Sequence, residues 1–174
     1  MSSSRLAPVA SPSANNTRPL VAASTPRMAS DAAWSDLLRW HDDTIRARIR
    51  EHRGTVVNTT GDGFFVAFGR AVDGLDCAVD IQRRLARHRR EHGFAPGVRI
   101  GLHAAEATRQ GGDYSGRGVH VAARVGAAAE RDEILVSEAV LDASGPIRFP
   151  LSEARPLQLK GVKEPVAVRA VDWR

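Results

Sequence analysis

Asp62 stands between glycines in TTGDGFF, and Asp113 follows two more in GGDYSGRGVHVAARV. A carboxylate flanked by glycines has an uncrowded backbone. It can reach a hard cation such as Mg²⁺, which takes carboxylate and phosphate oxygens. Phosphoryl chemistry relies on such ions to offset charge on the reacting oxygens. The competing reading of Asp62 is local, because Asp-Gly is good turn chemistry without any ligand. In the second segment glycines run into a helix start, where free N–H groups favour anions. His120 and Arg124 are four residues apart and so share one helix face. Arg124 lies among Ala122, Ala123 and Val125. Either it reaches out to solvent or to an acid, or its planar fork is aimed at a phosphate; the spacing leaves both open. His120 alone reads as structural, since the partners a zinc ion would need do not occur at a suitable spacing.

Other chemistries are excluded by what the chain lacks. It has no GxxxxGK[ST] phosphate loop, no GxGxxG after a strand and no GxSxG nucleophile turn.

The elements that must position these residues follow from periodicity. Ser30-Asp31 opens a helix with Trp34, Leu37, Leu38, His41, Ile45 and Ile49 on one face, and Gly54 is its expected stop. TVVN and FFVAF flank the Asp-Gly turn as a hairpin. A second helix is expected from about Ala71 to His92, with Val72, Leu75, Val79, Gln82, Leu85 and Ala86 near one face, before Pro96-Gly97. VRIGLHAAEA alternates as a strand, TRQGGDYSGRG reads as a glycine-rich loop, and VHVAARVGAAA as a small-residue helix. EILVS is a strand, and Ser137 is the expected cap of the short helix EAVLDAS. PLQLKGVKEPVAVRAV reads as two strands joined by a Gly/Pro turn. This order predicts a mixed α/β domain with an antiparallel portion. Its sheet needs a strand ahead of the first helix, and the sequence before Ser30 offers little for that place.

The 174 residues suit one domain and a tail. Residues 1–30 are rich in Ser, Ala and Pro, carry Arg5, Arg18 and Arg27 and no acid, and are expected to be a disordered leader ahead of a domain at 31–174. The leader supplies three of the five net positive charges, leaving 22 basic against 20 acidic residues. With few aromatics for base stacking, nucleic acid is not the expected partner. No apolar run approaches the ~18–20 residues of a membrane span. Cys77 is the single cysteine, so no internal disulfide can form and a reducing cytoplasm is the expected setting. Its place in VDGLDCAVDIQRRL suits a small buried helix residue.

TVVNTTGDGFFVAF, VRIGLHAAEA, GGDYSGRGVHVAARV, EILVS and LKGVKEPVAVRAV occur in this order. Together, over about Asp31 to Val171, they resemble the class III adenylate and guanylate cyclases, above all the bacterial members. The resemblance implies an α+β sandwich with a ferredoxin-like βαββαβ centre, in which the opening strand is missing or replaced here. It also implies a dimer, either a homodimer or a pairing with another cyclase domain, whose sites lie at the interface. In such proteins two aspartates on one protomer hold two divalent metals, Mg or Mn. One corresponds to Asp62. The other belongs to a pattern like FTDIxGST, which this chain lacks; laying PLVAAST (residues 19–25) on it puts Leu20 in the aspartate's place, so only one ion is expected to be held. The partner protomer reads the nucleotide. The position of the adenine-reading lysine is Asn58, whose amide is both donor and acceptor, and its partner position is Asp113. The ribose-orienting position is His120, the transition-state arginine is Arg124, and the triphosphate lysine is Lys160. The implied reaction makes cyclic AMP and pyrophosphate from ATP, with GTP as the alternative substrate. The other outcome is a non-catalytic domain that binds nucleotide or completes an intact partner.

Overall fold

Alternation along two strands sets the layers. In the strand Val98–Leu102, Val98, Ile100 and Leu102 are fully buried on one side, while Gly101 faces the other. In Ile134–Ser137, Ile134 and Val136 join that first side and Leu135 the second. The sheet is therefore covered on both faces, as period-two alternation of wholly apolar residues requires.

The structure, a computed structural model, describes residues 4–5, 11–12, 31–60, 63–110, 113–115 and 117–174. In chain order these form β1 (Ser4–Arg5), β2 (Ser11–Pro12), α1 (Asp31–Glu51), β3 (Thr55–Thr60), β4 (Gly63–Ala67), α2 (Ala71–His92), β5 (Val98–Leu102), β6 (Glu106–Gln110), β7 (Asp113–Ser115), α3 (Arg117–Ala128), β8 (Ile134–Ser137), α4 (Glu138–Ser144), β9 (Arg155–Leu157) and β10 (Val166–Ala170). One sheet has the order β2-β5-β8-β10-β9, with β5 and β8 parallel and its other pairs antiparallel. β3 and β4 pair as a hairpin, and β1, β6 and β7 form a third sheet.

The mixed α+β fold is the expected one. The opening place of the sheet is taken by β2: Ser11 and Pro12 pair antiparallel with Arg99 and Val98, and β2 also lies against β4. A strand between β5 and β4 is what a βαββαβ sheet places there, and Ser11–Pro12 is its described part.

The first core gathers α1, α2 and α4 over one face, with Ile45, Ile49, Phe68, Leu75, Ile81, Leu85 and Ile100 among its fully buried side chains. Cys77 is buried in it, and burial, with Asp80 adding to it, pushes its thiol far above the ordinary range. Such a thiol packs as a small apolar group and is inert. The second core lies on the other face, where α3 contributes Val121 and Val125, joined by Ala129 just beyond it, against Leu135, Leu159 and Val168.

Four local expectations are corrected. Trp34 and Leu38 are 46% and 43% exposed, because the first turns of α1 run past the core that buries His41, Ile45 and Ile49. Gly54 does not supply the left-handed residue that ends α1; Arg53 does, at φ 59°. Gly54 instead gives clearance, since a Cβ there would stand 2.6 Å from the Phe68 ring. VRIGLHAAEA is two strands, β5 and β6, interrupted at His103–Ala105, and much of the expected glycine-rich loop is the β6–β7 hairpin. Ser137 occupies the cap position of α4 but makes no capping bond; its hydroxyl is taken by His103.

Candidate active site

α3 carries the residues with the clearest chemical potential. Gly118, Val121, Ala122 and Val125 form its buried face, and His120, Ala123 and Arg124 fall on the outer one. The spacing of the valines dictates this split, for residues three and four apart share a side of the helix. The outer pair is held at a fixed height above the sheet. A Cβ on Gly101 would lie 2.1 Å from the Gly126 backbone nitrogen, so β5 and α3 approach closer than any side chain at Gly101 would allow.

Lys160 stands exposed beside Leu159, which is buried in the second core, in a turn closed by a hydrogen bond from Val162 N–H to Leu159 O at 3.0 Å. Val162 packs on the same core as Val121 and Val125. One apolar cluster thus anchors both α3 and the Lys160 turn, and two cationic side chains project from its rim. Among the described residues, His120, Arg124 and Lys160 have no salt-bridge partner. An unneutralised arginine and lysine can stabilise phosphoryl oxygens.

Asn58 lies on a different element. It is exposed on β3, opposite Phe65 and beside a register shift at Val56/Asn58, in the hairpin whose Phe64, Val66 and Phe68 belong to the first core. Asp113 begins β7, opposite Gln110. Asp62 lies outside the described residues, as does Leu20.

Three further residues line a cleft of about 390 Å³ at the start of α3: His103, Arg117 and Glu164, with Val121, Val162 and Pro165 as its apolar wall. His103 Nδ1 lies 2.9 Å from Ser137 Oγ, and burial lowers its proton affinity, so it is neutral near pH 7. Sequence reasoning missed this cleft. The only signal was that His103 follows β5 directly, where a loop begins.

Among the described residues no group of three or more His, Cys, Asp or Glu stands together to hold a metal ion. Asp62, the expected carboxylate ligand, lies outside them, and residues 1–30 contain no acid that could be a second.

An α+β sheet covered on both faces, with a cationic helix on one of them, is the class that fold and site define. The chain belongs to the adenylate and guanylate cyclase catalytic domain family, whose model matches residues 21–169. It is 31% identical over 106 residues, 60% of this chain and 18% of the relative, to "Putative adenylate cyclase 3" of Rhizobium meliloti (strain 1021). The chain thus spans under a fifth of that relative's length. The fold is similar to an adenylate/guanylate cyclase/hydrolase from Silicibacter pomeroyi, with TM-score 0.73 and 24% identity over 96% of this chain and 93% of that one. It is likewise similar to the guanylate cyclase domain of RhGC from Catenaria anguillulae, solved in complex with GTP, with TM-score 0.70 and 19% identity over 83% and 86% of the two chains. Among the described residues no helix is long and apolar enough to cross a membrane.

Proposed function

We propose that this domain is the catalytic unit, or one half of it, of a cyclase that forms cyclic AMP and pyrophosphate from ATP in the cytoplasm, as a dimer of such domains. The observation that carries the reading is the exposed His120–Arg124 pair on α3, held by the core that also seats Lys160. In the reaction the ribose 3′-hydroxyl loses its proton to solvent, its oxygen bonds to the α-phosphorus, and the bond from the α-phosphorus to the oxygen bridging to the β-phosphate breaks to release pyrophosphate. Arg124 stabilises the charge that grows on the α-phosphate, and Lys160 that on the departing pyrophosphate. His120 orients the ribose, and Asn58 and Asp113 meet the base edge.

A second reading is favoured by Leu20, which stands in the expected place of the first metal aspartate. In it the domain is not catalytic alone, but lends Asp113, Arg124 and Lys160 to a partner that carries both metal carboxylates.

The test is cyclic nucleotide formation by the purified protein with Mn²⁺ and ATP or GTP, beside Asp62→Ala and Arg124→Ala. Product lost in both variants supports the autonomous enzyme. No product from folded protein rejects it, and product restored by an intact cyclase domain, but not by one mixed with Arg124→Ala, establishes the second reading.

A further inference from the structure

The first-core side of the molecule carries a concentration of charge that cyclisation on the α3 side does not use. Arg83, Arg84, Arg87 and Arg90 fall within about a third of a turn of one another on the α2 wheel, and they line a groove of about 720 Å³ together with Arg89 and Trp173. α2 lies on the first core and α3 on the second, so this groove and Arg124 are on opposite faces of the sheet.

The two acids in the groove are already engaged. Asp80 is shared by Arg48 at 3.5 Å and His52 at 3.3 Å, and Asp132 is paired with Arg89 at 3.2 Å. Among the described residues, no carboxylate pairs with Arg83, Arg84, Arg87 or Arg90. Arg83 is aimed by a bond from its Nε to Trp173 O at 2.7 Å. Like charges three and four apart on a helix destabilise it. The chain nevertheless repeats them at 83/87, 84/87 and 87/90 in one groove.

We propose that this groove binds a small anion carrying several phosphate groups, held by arginine forks on the face remote from α3. Guanidinium forks match phosphate oxygens two at a time. The volume suits a small ligand. Trp173 is 5% exposed, so no open aromatic platform is present for stacking single-stranded bases.

The probe is inorganic tripolyphosphate, titrated calorimetrically into the whole chain at constant ionic strength, with sodium sulfate as the control. Saturable binding is expected, with a component that is weakened at least tenfold in Arg87→Glu/Arg90→Glu and persists in Arg124→Ala/Lys160→Ala. If the charge-reversed pair does not fold, the neutral Arg87→Gln/Arg90→Gln pair is read in its place, with a loss of at least threefold expected. Absence of saturable binding, equal competition by sulfate, or binding that survives the α2 variants overturns the proposal. So does binding lost only in the α3 variant, which would place the anion at the cyclase site. Because α2 and α3 are varied separately, failure here leaves the cyclase reading standing.

Discussion

Gly101 of β5 and Gly126 of α3 meet backbone to backbone, close enough that a Cβ on Gly101 would lie 2.1 Å from Gly126 N and 2.3 Å from its Cα. The reverse is not true, for a Cβ on Gly126 would find Gly101 N at 3.7 Å, an ordinary contact. The helix that carries His120 and Arg124 is therefore seated by the strand's glycine and not by its own.

The asymmetry gives opposite outcomes for one methyl group. Gly101→Ala must push α3 off the sheet and is expected to cost about 1–3 kcal/mol or more, as overpacking does. Gly126→Ala meets open packing inside a helix and is expected to be neutral or to stabilise by about 0.5–1 kcal/mol. Urea midpoints of the two variants check this; a tolerant Gly101→Ala would contradict the close seating.

Arg124 is exposed and has no ion-pair partner among the described residues. Arg124→Ala is thus expected to leave the melting temperature within about 1 °C of the parent, since surface substitutions are usually small. Under the cyclase reading the same variant loses cyclic nucleotide formation by about a hundredfold, the scale of removing one transition-state donor. Parallel melting curves and turnover assays separate the two effects.

His103 predicts a pH dependence of stability. Burial holds its proton affinity below the ordinary value of 6.5, so the unfolded chain takes up the proton more readily than the folded one. Stability from this group is full above that value and is lost as pH falls through the window beneath it, down to the folded value. Urea midpoints at about pH 7.5 and about pH 5.5 are expected to differ less in His103→Asn than in the parent.

Trp173, beyond the end of β10, belongs to the first core. It is 5% exposed, its Nε1 donates to Asp132 O at 2.8 Å, and its carbonyl accepts from Arg83. Trp173→Ala is expected to cost about 3–5 kcal/mol, as for large buried aromatics. Trp173→Phe keeps most of the packing but leaves the Asp132 carbonyl without its donor, and is expected to fall between the two in chemical denaturation.

The sequence by itself determined what is local. The Asp-Gly hairpin, the span of α2, the strands β5 and β8 and the paired end β9–β10 all follow from apolar periods two or 3.6 residues long and from turn chemistry between them. The order of five short motifs was enough to point to the cyclase family, and His120 and Arg124 were correctly given one helix face. Tertiary structure decided what depends on partners far along the chain. It placed the Ser137 hydroxyl on His103, 34 residues away, and left no capping bond for α4. It also seated Gly101 under α3, exposed Trp34 and Leu38, and opened the arginine stripe of α2 onto a groove closed by Trp173. Periodicity tells which side of an element is apolar. It does not tell how far the neighbouring layer extends to cover that side, or which of two polar groups claims a hydroxyl, because both are set by packing between segments whose contact no local pattern encodes.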